Sequence, residues 1–224
     1  MTSVNSCEKR LVILGMSGHG KVVIEVARAM GCYTKMLCLD DNPSADTILT
    51  VPVVGKIASF VQYVGPHTEF IVAIGNNEIR EKFTIDIENA GGTLATLIDP
   101  NAVVSSTSSV GAGSLIMPGS IVNACAQIGR SCIINTGATV DHDCHIEDFV
   151  HIAPGTNLAG QVSVGRCTMI GIGSCVIQCC EIGSHTMIGA GATVVNPIPS
   201  YVTAVGSPAK VIKNNKNTRG DSHA

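Results

Sequence analysis

The sequence predicts a small parallel α/β sheet followed by a parallel β-helix. Two observations predict it: an unbroken run of aliphatic residues six apart in the second half, and short apolar strands alternating with amphipathic helical stretches in the first. The run begins at Ile98, passes through Val104, Val110 and Ile116, and ends at Val194, seventeen positions without a miss. If about a quarter of residues are Ile, Leu or Val, chance produces this with odds on the order of one in 10^10, so the spacing is a structural period. Six fits neither a helix nor a heptad. It suits three flat strands wound into a triangular coil of about 18 residues, with coils stacked at roughly 4.8 Å. Four residues after most of these aliphatics stands a small one, such as Ser114, Ala126, Cys132, Cys144 or Thr168, so large and small inward residues alternate. The repeat is long enough for five to six coils, and its aliphatics form one continuous column.

The first half follows a different rule. An apolar run at residues 10–14 leads into the turn Gly15-Met16-Ser17-Gly18-His19-Gly20, and residues 21–30 carry apolar side chains at helical spacing. Residues 35–39 make a second strand ending at Asp40-Asp41, and residues 69–74 a third ending at Gly75-Asn76-Asn77. Residues 78–89 read as an amphipathic helix closed by Gly91-Gly92, and residues 93–97 as a fourth strand. This alternation gives half of a doubly wound, Rossmann-like sheet. The expected organisation is an α/β domain over 1–97, a β-helix over 98–213 and a loose tail over 214–224.

A net charge of −3 with only 14 Lys plus Arg shows no basic stripe, so a nucleic-acid partner is not expected. Mean hydropathy is high at +0.34, but no apolar stretch is long enough to span a bilayer. The N-terminal residues are too polar for a secretion signal, and a cytoplasmic location is expected. Ten cysteines form no CxxC pair. Cys125, Cys132, Cys144, Cys167, Cys179 and Cys180 fall three or four residues after a repeat aliphatic, where a thiol is expected to act as a small core filler.

Two clusters carry chemistry. The glycine turn follows a strand and opens a helix, where unpaired N–H groups and the helix dipole favour an anion such as a diphosphate. Asp40-Asp41 and Gly75-Asn76 are expected at the same sheet edge, the carboxylates and amides reading a ribose or a base. In the repeat, His142 is followed at once by Asp143 and stands 18 residues, one coil, before Gly160, which leaves room for a substrate and offers a backbone N–H. A zinc ladder would need ligands a whole number of coils apart. The positions 36 beyond His142, His145 and His151 are Gln178, Glu181 and Met187, so no metal is expected.

These residues resemble the hexapeptide-repeat nucleotide-sugar N-acetyltransferases that act on UDP-4-amino-4,6-dideoxy sugars, including the bacillosamine-pathway enzymes; sialic acid O-acetyltransferases are cousins. The likeness rests on the glycine turn, Leu39-Asp40-Asp41, Ala73-Ile74-Gly75-Asn76-Asn77-Glu78-Ile79-Arg80, Asn135-Thr136, His142-Asp143-Cys144 and Val205-Gly206-Ser207-Pro208-Ala209-Lys210. It implies a left-handed β-helix and a homotrimer with acetyl-CoA between subunits. It also implies His142 as general base, Asp143 as the carboxylate orienting it, Asn135 near the acceptor amine, and Gly160 as N–H donor to the thioester oxygen. His151, Ile172 and Ala190 correspond to acetyl-CoA contacts, and Gly18, His19, Asp40, Asp41, Gly75 and Asn76 to contacts with the UDP portion. Aspartate at 143 is one methylene shorter than the glutamate often found there.

The expected chemistry is direct acetyl transfer to a sugar amine, with a histidine of pKa near neutrality taking the proton. The alternatives are O-acetylation of a sialic acid or other hydroxyl, and a non-catalytic nucleotide-sugar sensor.

Overall fold

The computed structural model describes residues 9–215. The chain divides into two compact units between Pro100 and Asn101.

The first unit is a four-stranded parallel sheet in the order β2-β1-β5-β6. Its elements are β1 (Arg10–Leu14), α1 (Gly18–Met30), β2 (Lys35–Leu39), β3 (Thr47–Ile48), β4 (Val51–Pro52), β5 (Thr68–Val72), α2 (Asn77–Asn89) and β6 (Thr93–Leu94). Both helices start earlier than their apolar spacing suggests, α1 at Gly18 and α2 at Asn77, the latter capped by Asn76. A small hairpin of β3 and β4 and a 3-10 helix over Ile57–Tyr63, which the strand and helix spacing does not mark, fill the stretch between β2 and β5. That short helix supplies Ile57 and Phe60 to a core with Val12, Leu14, Leu39, Phe70, Val72 and Ile87, and Phe60 meets Phe70 edge to face at 6.1 Å.

The second unit is the β-solenoid. Strands at 18-residue intervals stack in parallel register, with Ile121 opposite Val103 and Thr139, Gln127 opposite Ser109 and His145, and Ile133 opposite Leu115 and His151. Side one carries Val103–Val104 through Thr193–Val194, side two Ser109–Val110 through Glu181–Ile182, and side three Leu115–Ile116 through Met187–Ile188. From Ile116 to Val194 the six-apart aliphatics are all buried, and so are the residues four beyond them. Hydroxyls are tolerated there because a backbone carbonyl accepts them, one coil on for Ser114, which donates to Gly129 O at 2.8 Å, and Thr156, to Gly171 O at 2.9 Å, and in the same coil for Ser120, to Met117 O at 2.6 Å.

Cysteine placement needs a correction. Cys132, Cys144 and Cys180, at the four-on position, are buried as filler, and so is Cys167 at the three-on position, but Cys125 and Cys179, also three-on, are exposed. The three-on residue is the second corner residue, held at φ of 61° in Cys125, 59° in Cys179 and 56° in Cys167, so its burial depends on what covers the corner. The residues at the start of the expected tail are also tied down. Asn214 ends the strand Lys210–Asn214, which pairs antiparallel with Val202–Val205, and Asn215 bonds to Tyr201 O and Thr203 Oγ1. The rest of that tail, 216–224, lies outside the described residues.

Candidate active site

In the sheet unit, Leu14 stands opposite both Leu39 and Val72, so three strands end level and their loops leave from one edge. Two of the loop glycines answer to the turn itself. Gly15 has φ +104° and a Cβ there would lie 3.0 Å from Ala73 O; one on Gly20 would lie 2.6 Å from Gly15 O. Gly18 and Gly75 are different, since a Cβ on either meets nothing within 4 Å, and they leave open space at the strand ends. The start of α1 has no side-chain cap from Ser17 and no acidic residue in its first turn. Its leading N–H groups and positive dipole end therefore suit an anion. The start of α2 is closed instead: Asn76 Oδ1 accepts the Ile79 N–H at 3.0 Å, and Glu78 sits in the first turn.

Asp40 and Asp41 shape this edge through their own loops. Asp40 accepts the Met16 N–H on Oδ2 and the Asn42 N–H on Oδ1, both at 2.8 Å, and Asp41 accepts the Ile57 N–H at 3.0 Å. Sequence reasoning assigned no role to Arg80, which is 1% exposed and donates to Ile74 O, Gly75 O and Asn77 Oδ1 at 3.0, 3.2 and 2.7 Å. A signal existed, because a cation in the first turn of a helix opposes the dipole and needs partners elsewhere. Burial, and then the Arg80 charge, lower the His19 pKa to about 4. Its imidazole is thus neutral at neutral pH and offers both a donor and an acceptor.

In the solenoid, His142 and Asp143 form the corner between sides one and two. His142 Nδ1 meets Asp143 Oδ2 at 2.8 Å, so the aspartate reaches the ring despite its short side chain. The neutral tautomer carries its proton on Nδ1 and leaves Nε2 as the base. The hydrogen bond to Asp143 raises the His142 pKa above its ordinary value. Nε2 lies over Gly160, where a Cβ would stand 2.5 Å away. Among the described residues the Gly160 N–H finds no protein acceptor, while its carbonyl takes the Cys179 N–H at 3.0 Å.

The other solenoid candidates lie elsewhere. Asn135 adjoins the corner between sides three and one, where it takes the Thr136 N–H on Oδ1 at 2.8 Å and meets His151 Nε2 through Nδ2 at 3.0 Å. Exposed Ile172 and Ala190 continue that corner upward. The structure thus joins His142, Asp143 and Gly160 at one corner, and strings Asn135, His151, Ile172 and Ala190 along another. A full side separates the two, roughly 20 Å of extended chain. Neither of the two grooves on side two, of about 520 and 340 Å³, is lined by His142, whose side chain is 55% exposed. Among the described residues no three His, Cys, Asp or Glu side chains are placed to hold a metal ion, and no helix is long and apolar enough to cross a membrane.

Residues 10–87 match the PglD N-terminal domain. Over 111 residues the chain is 37% identical to the UDP-N-acetylbacillosamine N-acetyltransferase of Bacillus subtilis, covering 48% of this chain and 50% of that protein. Over 95 residues it is 34% identical to the GDP-perosamine N-acetyltransferase of Escherichia coli O157:H7, covering 42% and 43%. The chain spans about half the length of the curated relatives it matches. Solved structures match more of it. The acetyltransferase domain of PglB from Neisseria gonorrhoeae, in complex with acetyl coenzyme A, is 39% identical with a TM-score of 0.88, over 92% of this chain and 100% of that one. PerB from Caulobacter crescentus, in complex with CoA and GDP-perosamine, is 40% identical with a TM-score of 0.84, over 91% and 97%.

Proposed function

The chain belongs to the PglD family of nucleotide-sugar N-acetyltransferases, and from that premise we propose that it acetylates the amine of a UDP-linked 4-amino-4,6-dideoxy sugar, with acetyl-CoA as donor and His142 as base. One observation carries the reading: an imidazole whose Nδ1 is held by Asp143 and whose Nε2 stands over a glycine that no other residue could replace without moving it.

The amine nitrogen attacks the thioester carbonyl, forming the C–N bond, and its proton passes to His142 Nε2. The Gly160 N–H faces the oxyanion of the tetrahedral intermediate; losing one such donor typically costs about 10^2 to 10^3 in rate. The C–S bond then breaks and the imidazolium returns its proton to the departing thiolate. Asn135 positions the amine.

The diphosphate sits at the uncapped start of α1, in the open space before Gly18 and Gly75, with neutral His19 beside it. The choice of UDP is supported by the likeness to the UDP-N-acetylbacillosamine N-acetyltransferase, with GDP as the rival carrier from the GDP-perosamine relative.

The protein works as a homotrimer, in which acetyl-CoA lies along the Asn135, His151, Ile172 and Ala190 corner of one copy and faces the His142 corner of the next. The separation of the two sets of residues within one chain supports this assembly.

The test is thiol release from acetyl-CoA with UDP-, dTDP- and GDP-linked 4-amino sugars and with sialic acid as acceptors. A 4-amino UDP sugar should be the best substrate, and His142→Ala should lower kcat by about 10^2 to 10^4 with CoA affinity retained. Release with sialic acid alone would refute N-acetylation, and full activity of His142→Ala would remove the base.

A further inference from the structure

We propose that Asp141, clamped by Asn123 from the preceding coil, is a positioning residue that fixes the backbone of His142; the role rests on His142 being the base. Asp141 Oδ1 accepts the His142 N–H at 2.8 Å, and the same oxygen accepts Asn123 Nδ2 at 2.8 Å. Asn123 stands 18 residues earlier, and the pairing of Ile121 with Thr139 and Val122 with Val140 holds it one coil away. His142 is thereby tied at its N–H to Asp141, at its carbonyl to the Gln161 N–H at 2.9 Å, and at Nδ1 to Asp143.

The fold does not demand this bond. The same position on the next two coils is Ala159 and then Ile177, neither of which has a side-chain acceptor, and both coils turn the corner alike. The bond occurs at the coil that carries the imidazole. Asn135 repeats the device at another candidate position, taking the Thr136 N–H on its own Oδ1. Around His142, the coil below presents Asn123, Ala124 and Cys125, the coil above presents Gly160 and Gln161, and Cys144 is buried behind it. Asp143 meets the ring itself, and the charges of both Asp143 and Asp141 favour it as it gains a proton.

The experiment compares kcat, KM and the pH dependence of kcat/KM in Asp141→Ala, Asp141→Asn and Asn123→Ala, with His142→Ala alongside. Asp141→Ala should lose about tenfold in kcat with both KM values within about twofold, because geometry at the base is lost and substrate binding is not. Asp141→Asn keeps an amide oxygen able to take both bonds and should recover kcat to within about threefold. Its acid limb should move to lower pH, since one of two charges favouring the imidazolium is gone. Asn123→Ala should lose about threefold. Wild-type kcat and an unshifted limb in Asp141→Ala, with His142→Ala inactive, overturn this inference alone. A fully active His142→Ala overturns the base assignment and this inference with it. Should Asp141→Ala fail to fold, an unshifted limb in Asp141→Asn together with wild-type kcat in Asn123→Ala is the overturning result.

Discussion

His142 Nε2 occupies the space that any side chain at Gly160 would need: a Cβ there would lie 2.5 Å from Nε2 and 2.6 Å from Cε1. Gly160 does not have a left-handed φ, so alanine is compatible with the backbone, and the three atoms nearest its Cβ all belong to the imidazole. Gly160→Ala should fold with a melting temperature close to wild type. It should lose about 10^2 in kcat, through displacement of the ring and obstruction of the N–H donor. Thermal melting and steady-state kinetics on the same preparation check both halves. Near-normal kcat would mean that the ring moves without consequence and is not the base.

The pH dependence follows from the Asp143 contact, which raises the His142 pKa. The base works as neutral imidazole, so kcat/KM should fall as pH drops through a value above 6.5, the ordinary histidine pKa. Asp143→Asn removes the carboxylate, and its acid limb should shift to lower pH while kcat drops because the ring loses its orienting partner. A limb that stays in place would show that Asp143 does not set the basicity.

The solenoid was legible because every coil requires the same residue type at the same place, so one period reports a hundred residues of structure. The sheet was legible from strand-loop-helix punctuation. The stretch between β2 and β5 was not, because Leu49 and Thr50 make the β3–β4 turn at φ 46° and 66° without the glycine or asparagine that marks such turns. Of the site, His142, Asp143 and Gly160 could be aligned by counting 18 residues. Asn123 and Asp141 obey the same count, but an exposed asparagine beneath an aspartate carries no signal until their hydrogen bond is seen. Arg80 was hidden for a related reason, since its partners are mostly backbone carbonyls that sequence does not label.

His19 should make the fold sensitive to mild acid. Its pKa is about 4 in the folded protein against 6.5 ordinarily, so between those values the unfolded chain binds the extra proton. Its contribution is complete above pH 6.5 and is lost as pH falls toward 4, by at most about 3 kcal/mol. Urea denaturation of wild type and His19→Asn across this window tests it. Wild type should lose more stability than the variant as pH falls, and parallel curves would show that His19 is not held neutral by burial.

Phe149 shows how a corner can be closed from outside. It occupies the three-on position with φ 61°, where Cys125 and Cys179 are exposed, yet it is 0% exposed. A left-handed φ disfavours such a residue by roughly 1–2 kcal/mol, so packing must outweigh it. The cover comes from two guanidiniums one coil away on either side: Arg130 and Arg166 lie 5.3 and 4.5 Å from the ring centroid. Asp148 holds both, at 2.8 Å from Arg130 Nε and 3.4 Å from Arg166 Nη1. Phe149→Ala should destabilise by about 3 kcal/mol, the usual loss for a buried aromatic. A double-mutant cycle between Phe149→Leu and Arg166→Ala should give a coupling of about 0.5–1 kcal/mol from the lost cation–π contact. If Arg166→Ala costs the same in both backgrounds, the guanidinium is anchored by Asp148 alone and the ring is buried for other reasons.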